Sequence, residues 1–144
     1  MAADRNATTR WTGGLGSGSG TVTLDSSNAG QFPVSWAARA EEPDGQTSPE
    51  ELIAAAHSSC YSMQLSGLLG QAGLAPESID TSAEVTLDQK GEGFAITGIA
   101  LTVRANVPGA EDGTFQEAAQ KAKEVCPVSA ALTGTTITLD AALV

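Results

Sequence analysis

The stretch Ser48–Leu69, SPEELIAAAHSSCYSMQLSGLL, decides the fold of this chain. Ser48 is a good helix cap, Pro49 stands where a first helical residue has no use for its N–H, and Glu51 lies three positions after Ser48, the spacing of a capping box. From there Leu52, Ile53, Ala55, Ala56, Cys60, Met63, Leu65, Leu68 and Leu69 recur at spacings of mostly three and four. That periodicity predicts a long helix with apolar positions broad enough to be covered on more than one side, and its alanines allow other elements to approach closely. His57, Ser58, Ser59, Gln64 and Ser66 interrupt the run, so no window of about 18 residues is apolar enough for a membrane span. The segment reads as the central helix of a soluble protein.

The 144 residues around it fit one domain, residues 1–144, of a size that folds without disulfides. The chain is 41% apolar and 17% charged with a net charge of −10, so a nucleic-acid backbone or an anionic membrane repels it. The N-terminal MAADRNATTRW has no apolar run resembling a secretory signal, which makes the reducing cytoplasm the expected compartment and free thiols the expected state of Cys60 and Cys126. Two cysteines 66 positions apart and one histidine do not match the close paired spacings of a zinc site, so no metal is expected.

Before the helix, residues 1–10 read as loose or as a short edge segment, and GGLGSGSG (13–20) reads as a flexible hairpin connection. It lacks the Gly-Lys-Ser/Thr ending of a phosphate loop. TVTLD (21–25) and PVSWAAR (33–39) alternate as strands around the turn SSNAGQ, and EEPDGQT is a polar loop leading to Ser48. After the helix, Gly70, Gly73 and Pro76 break the periodicity. SIDTSAEVTLD and FAITGIALTVRANV then alternate as two strands joined by QKGEG, with Gly98 a candidate bulge. Thr114 and Glu117 form a second capping box for FQEAAQKAKEV, which ends at Cys126. Pro127 opens a further short turn, and TTITLDAAL alternates as the last strand. Strands, long helix, strands, helix and strand make an α+β fold.

Four residues invite chemistry. Cys60 in the long helix reads either as a buried core thiol or as a reactive nucleophile. Cys126, followed by Pro127, reads either as a small residue closing the preceding helix or as the N-cap of the next one, where free backbone N–H groups favour a thiolate. Glu51 has a structural task in the capping box, whereas Glu50 has only the helix dipole to complement and is available for something else. Arg39 is one of four arginines and stands at the end of a predicted strand. His57, three residues before Cys60, lies close enough on the helix to be a Cys–His pair or a packing neighbour.

These segments together resemble the OsmC/Ohr family, in particular its osmotically inducible protein C branch. The resemblance is carried by TSPEELIAAAHSSCYSMQLS, SIDTSAEVTLD, GFAITGIAL, the VPG turn, and KAKEVCPVSAAL with TTITLD. It implies a thiol-dependent peroxidase that reduces organic hydroperoxides, and hydrogen peroxide less efficiently. It also implies an intertwined homodimer with two central helices wrapped by antiparallel β-sheets. By position Cys60 matches the peroxidatic cysteine, Cys126 the resolving cysteine, Glu50 the motif glutamate and Arg39 the catalytic arginine. Arg10 is the rival of Arg39, because the Ohr branch takes its arginine from nearer the N-terminus. No bound cofactor is implied, only an external dithiol reductant, for which lipoyl groups on proteins are the family's usual source.

Helical geometry adds a constraint of its own. Ten helical residues rise about 15 Å, beyond the reach of a glutamate side chain, so an unbroken helix keeps Glu50 from serving Cys60 of its own chain. An antiparallel second copy of the helix removes the difficulty, which predicts active sites shared across a homodimer. Leu52, Ile53, Met63 and Leu65, with Phe32, Trp36 and Phe94, are the expected lining of a pocket for alkyl or lipid hydroperoxides. The competing reading is a non-catalytic dimeric binding protein for small apolar ligands, in which both cysteines are core residues.

Overall fold

The computed structural model of the chain describes residues 1–144. It has two compact units, Met1–Leu52 and Ile53–Val144. The first is a three-stranded antiparallel meander of β1 (Thr8–Thr12), β2 (Ser19–Thr23) and β3 (Gln31–Val34). The glycine-rich segment is the β1–β2 connection, as expected. Gly13 takes a φ of +87°, and a Cβ at Gly18 would collide with the carbonyl oxygens of Thr12 and Gly14, so the turn closes only with glycine there. Trp11 Nε1–H donates to the Gly13 carbonyl at 2.9 Å and pins the ring to the turn.

The strand expected over residues 33–39 ends at Val34. Ser35 caps a short helix instead, α1 (Trp36–Ala40), its hydroxyl accepting the Ala38 N–H at 3.2 Å. Val34, Trp36 and Ala38 fit a two-residue period, but the alanine-rich WAARA pays little to be helical once a serine caps it. Arg39 therefore stands in the last turn of a helix, not at a strand end.

The long helix α2 runs unbroken over Pro49–Gln71. Ser48 caps it, accepting the Glu51 N–H at 3.1 Å, but Glu51 does not close the box onto the Ser48 backbone. Its carboxylate accepts the Thr47 hydroxyl instead. Ser48→Ala should cost about 1 kcal/mol, seen as a fall of roughly 3 °C in the thermal midpoint. At the other end Gly73, with φ +75°, lets its own N–H reach the Gly70 carbonyl and the Leu74 N–H reach the Leu69 carbonyl at 2.9 Å. That is a Schellman closure, with Leu74 turned back onto the core.

The second unit holds a mixed sheet in the order β4–β5–β6: β4 (Ser78–Lys90), β5 (Gly93–Asn106) and β6 (Thr136–Leu143). β4 and β5 are antiparallel, and the register slips between Thr86 and Leu87, opposite Gly98, where the glycine suggested a bulge. β6 departs from the antiparallel expectation and runs parallel to β5, because the chain crosses over through α3 (Asp112–Val125) and α4 (Pro127–Ala131). α3 begins two residues before the expected Thr114 box. Glu111 is its N-cap without a side-chain bond, and Asp112 complements the dipole in the first turn.

Strand alternation turns Leu101, Val103 and Ala105 of β5 inward, against Tyr61, Leu65 and Leu69 of α2 and Phe115, Ala119 and Ala122 of α3. His57, Tyr61, Leu65 and Leu69, four apart, form the one fully buried stripe of α2. Tyr61 donates its hydroxyl to the Ala119 carbonyl at 2.9 Å. The face of α2 carrying Ala55, Ala56, Ser59, Met63, Ser66 and Gly67 is exposed in the single chain, with Met63 at 73%. The helix is thus covered on one side only.

Candidate active site

The four candidate residues fall in two pairs, one in each unit. In the first unit, α1 presents Arg39 to Glu50 in the first turn of α2. Arg39 Nε–H is directed at both Glu50 oxygens, at 3.1 and 3.2 Å, and Nη2–H donates to Oε1 at 2.8 Å. This is the fork of a guanidinium closed on a carboxylate, and Glu50 is only 6% exposed. Burial of that kind requires the partner, since an unpaired buried carboxylate is strongly unfavourable. The Arg39 guanidinium also lies over the Trp36 ring, 5.8 Å from its centroid. The fork and the ring hold one face and one edge of the cation. Arg10, on the fully exposed β1, has no comparable setting.

Beside Arg39 the first unit opens an apolar pocket of about 330 Å³, lined in part by Trp11, Leu15, Val22, Val34, Trp36 and Leu52. Of the expected lining, only Leu52 and Trp36 are there. Leu65 is fully buried in the core of the second unit, and Met63 and Phe94 are exposed. Trp11 and Leu15 come from the glycine-rich hairpin, whose apolar residues carry no periodicity that would have flagged them.

In the second unit, Cys60 on α2 and Cys126 at the junction of α3 and α4 stand with their sulfurs 3.1 Å apart, both as free thiols. This is about 1 Å more than a disulfide bond. Cys126 is fully buried and Cys60 partly exposed. Cys126 closes α3 and is the N-cap of α4, as the Pro127 position predicted. Burial pushes its thiol up, but the Ser129 amide, the Cys60 thiol, the Ser129 hydroxyl and the Val128 amide outweigh that and hold it below the ordinary cysteine range. The sulfur, larger than a capping oxygen, does this without a hydrogen bond of full cap geometry. Burial, followed by the neighbouring Cys126 thiol, pushes Cys60 up. The two thiols are shifted in opposite directions, Cys60 up and Cys126 down.

His57 does not pair with Cys60. Its ring is fully buried, with Nε2 2.7 Å from the Ser129 hydroxyl oxygen and Nδ1 without any partner. Burial lowers its pKa, so the ring is neutral. Ser129 was not singled out in the sequence. Nothing local distinguishes it from the other serines, because its neighbours come from a helix 72 positions earlier.

Residues 42–140 match the family model described as OsmC-like protein. The chain is 47% identical to Peroxiredoxin OsmC of Escherichia coli (strain K12) over 140 residues, covering 97% of this chain and 96% of that protein. It is 33% identical to the Organic hydroperoxide resistance protein of Xanthomonas axonopodis pv. citri over 89 residues, 61% of each. Its fold matches the crystal structure of an organic hydroperoxide resistance protein from Elizabethkingia anophelis with a TM-score of 0.75 and 27% identity, covering 100% of this chain and 99% of that one. With the family model matching residues 42–140 and a relative 47% identical along nearly its whole length, the chain belongs to the OsmC-like protein family.

Proposed function

We propose that this protein is a thiol-dependent peroxidase that reduces organic hydroperoxides, with Cys60 as the peroxidatic and Cys126 as the resolving cysteine. The observation that carries the reading is the 3.1 Å approach of two free sulfurs from residues 66 positions apart. Relatives named peroxiredoxin and organic hydroperoxide resistance protein support it. Cys60 as thiolate attacks the peroxide oxygen, the O–O bond breaks, and the alkoxide takes up the proton released by the thiol. One thiol and one hydroperoxide give a sulfenic acid and an alcohol. The Cys126 sulfur then attacks the sulfenic sulfur as a thiolate, an S–S bond forms as the S–O bond breaks, and the departing hydroxide takes up a proton from solvent to make water. A dithiol, oxidised in turn to its own disulfide, returns both thiols by exchange.

The first step needs a Cys60 thiolate, and in the single chain burial and the Cys126 thiol push Cys60 up. Arg39 supplies the missing cation, always charged and already oriented by Glu50. Along an unbroken α2 Glu50 and Cys60 are separated by about 15 Å of rise, so the Arg39–Glu50 pair that serves Cys60 belongs to a second subunit. The small, exposed face of α2 suits close antiparallel packing against its own copy, as the homodimer requires. The apolar pocket beside Arg39 takes the alkyl or aryl group of the hydroperoxide. A reducing cytoplasm keeps the resting thiols free, and lipoyl-bearing proteins are the reductants of matching chemistry.

The test is consumption of cumene hydroperoxide with dihydrolipoate as reductant, with thiols counted after a single addition of peroxide. The expected result is loss of both thiols as an intrachain disulfide. In Cys126→Ser the sulfenic acid persists and turnover decays as Cys60 over-oxidises. Two surviving thiols and no peroxide consumption would favour the non-catalytic binding protein instead.

A further inference from the structure

The peroxidase reading leaves the most deeply buried polar pair of the second unit without a task. His57 and Ser129 are 0% and 3% exposed, and they meet at 2.7 Å between α2 and α4. A histidine that only filled space would be better replaced by an apolar ring, since burying an imidazole with one nitrogen bare carries a desolvation penalty.

The bare nitrogen fixes the protonation state. A proton on Nδ1 would be a buried N–H with no acceptor, the rarest kind of unsatisfied group, whereas a bare lone pair is tolerated more readily. The neutral ring therefore carries its proton on Nε2 and donates it to the Ser129 oxygen. A serine hydroxyl has one proton to give. With its oxygen accepting from His57, that proton turns away from the ring. Cys126 is the N-cap of α4 and Ser129 its third residue, the two positions whose side chains lie across the first helical turn from each other.

We infer that His57 is a positioning residue for the Cys126 thiol: its Nε2–H orients the Ser129 hydroxyl so that the hydroxyl donates to the Cys126 sulfur. The chain of donors runs from the ring through the hydroxyl to the thiolate. It favours the thiolate of the resolving cysteine, the form that attacks the Cys60 sulfenic acid. Cys60 and Tyr61, both on α2, are the titratable groups that interact with Cys126. α3 and α4 bring only amides and the Ser129 hydroxyl to the sulfur. The use of this device rests on the peroxidase reading, but its test does not.

The chain has one histidine and one tyrosine, which makes the measurements clean. Nitrogen NMR of the unmodified protein should show a single neutral imidazole protonated at Nε2, and protonation at Nδ1 would overturn the inference. The thiolate absorbance of Cys126 is then titrated in full-length Cys60→Ser, where it is the only thiol. Ser129→Ala and His57→Leu, each added to that parent, should lower the thiolate population near neutral pH about tenfold. The combined variant should lose no more than Ser129→Ala alone, because His57 acts through the hydroxyl. His57→Gln, which keeps an N–H donor, should recover most of the thiolate. An unchanged titration in Ser129→Ala, or losses that multiply in the combined variant, would overturn the inference. Hydroperoxide consumption by the unmodified protein is scored separately, so failure of the peroxidase reading and failure of this one are told apart.

Discussion

Cys60→Ser should abolish hydroperoxide turnover, bringing it to the rate of the reductant alone, a loss of at least roughly 10⁴-fold. A serine hydroxyl is not ionised near neutral pH and an alcohol cannot be oxidised to the sulfenic level, so no remaining group in the second unit performs the first step. Cys126 does not substitute for it, because that sulfur is fully buried and a bulky hydroperoxide cannot approach it. The fold should survive, since Cys60 is only partly buried and serine is smaller by a fraction of a methylene. Steady-state consumption of cumene hydroperoxide, with circular dichroism as control, checks both statements. Residual turnover above one-hundredth of the unmodified rate would place the reacting sulfur elsewhere.

Arg39→Ala should lower kcat/KM roughly 10²- to 10³-fold, the range for removing one preorganised donor from a charge-developing site. Two losses combine. The cation proposed to favour the Cys60 thiolate disappears, and Glu50, nearly buried, is left without its Arg39 partner. Arg39→Lys keeps the charge but not the fork and should recover only part of the rate. Mixing subunits tests where the arginine acts. If it serves the cysteine of a second chain, a randomised mixture of Cys60→Ser and Arg39→Ala subunits regains about one quarter of the unmodified activity, since half of the dimers are mixed and one of their two sites is intact. If the site lies within one chain, mixing restores nothing. Arg10→Ala should change the rate less than threefold, its side chain standing on an exposed strand away from the Glu50 fork.

Sequence periodicity served well where elements are long. α2, β4 and β5 were legible because their apolar residues repeat over a dozen positions or more, and the Cys126–Pro127 step marked the join of α3 and α4. Short segments were ambiguous. Residues 33–39 hold too few turns to separate a two-residue from a 3.6-residue period, and the Ser35 cap decided for α1. The parallel pairing of β6 is equally invisible locally, because an alternating strand looks the same in either direction. Within the site, the Ser48 cap placed Glu50 in the first turn of α2 with no part in the cap itself. That its partner is Arg39 depends on the α1 turn, which the alternation of residues 33–39 disguises as strand. The tie between His57 and Ser129 had no sequence signal at all, since both are common helix residues and only tertiary packing joins them.

The unequal exposure of the two sulfurs also dictates the regiochemistry of regeneration. In a Cys60–Cys126 disulfide the incoming dithiol has access to one sulfur only, and that is Cys60. The mixed disulfide must therefore form on Cys60, expelling Cys126, whose depressed pKa makes it the better leaving group. In the proposed cycle the same sulfur receives the oxidant and the reductant through one opening, and a molecule trapped halfway through regeneration would occupy the entrance that the next hydroperoxide needs.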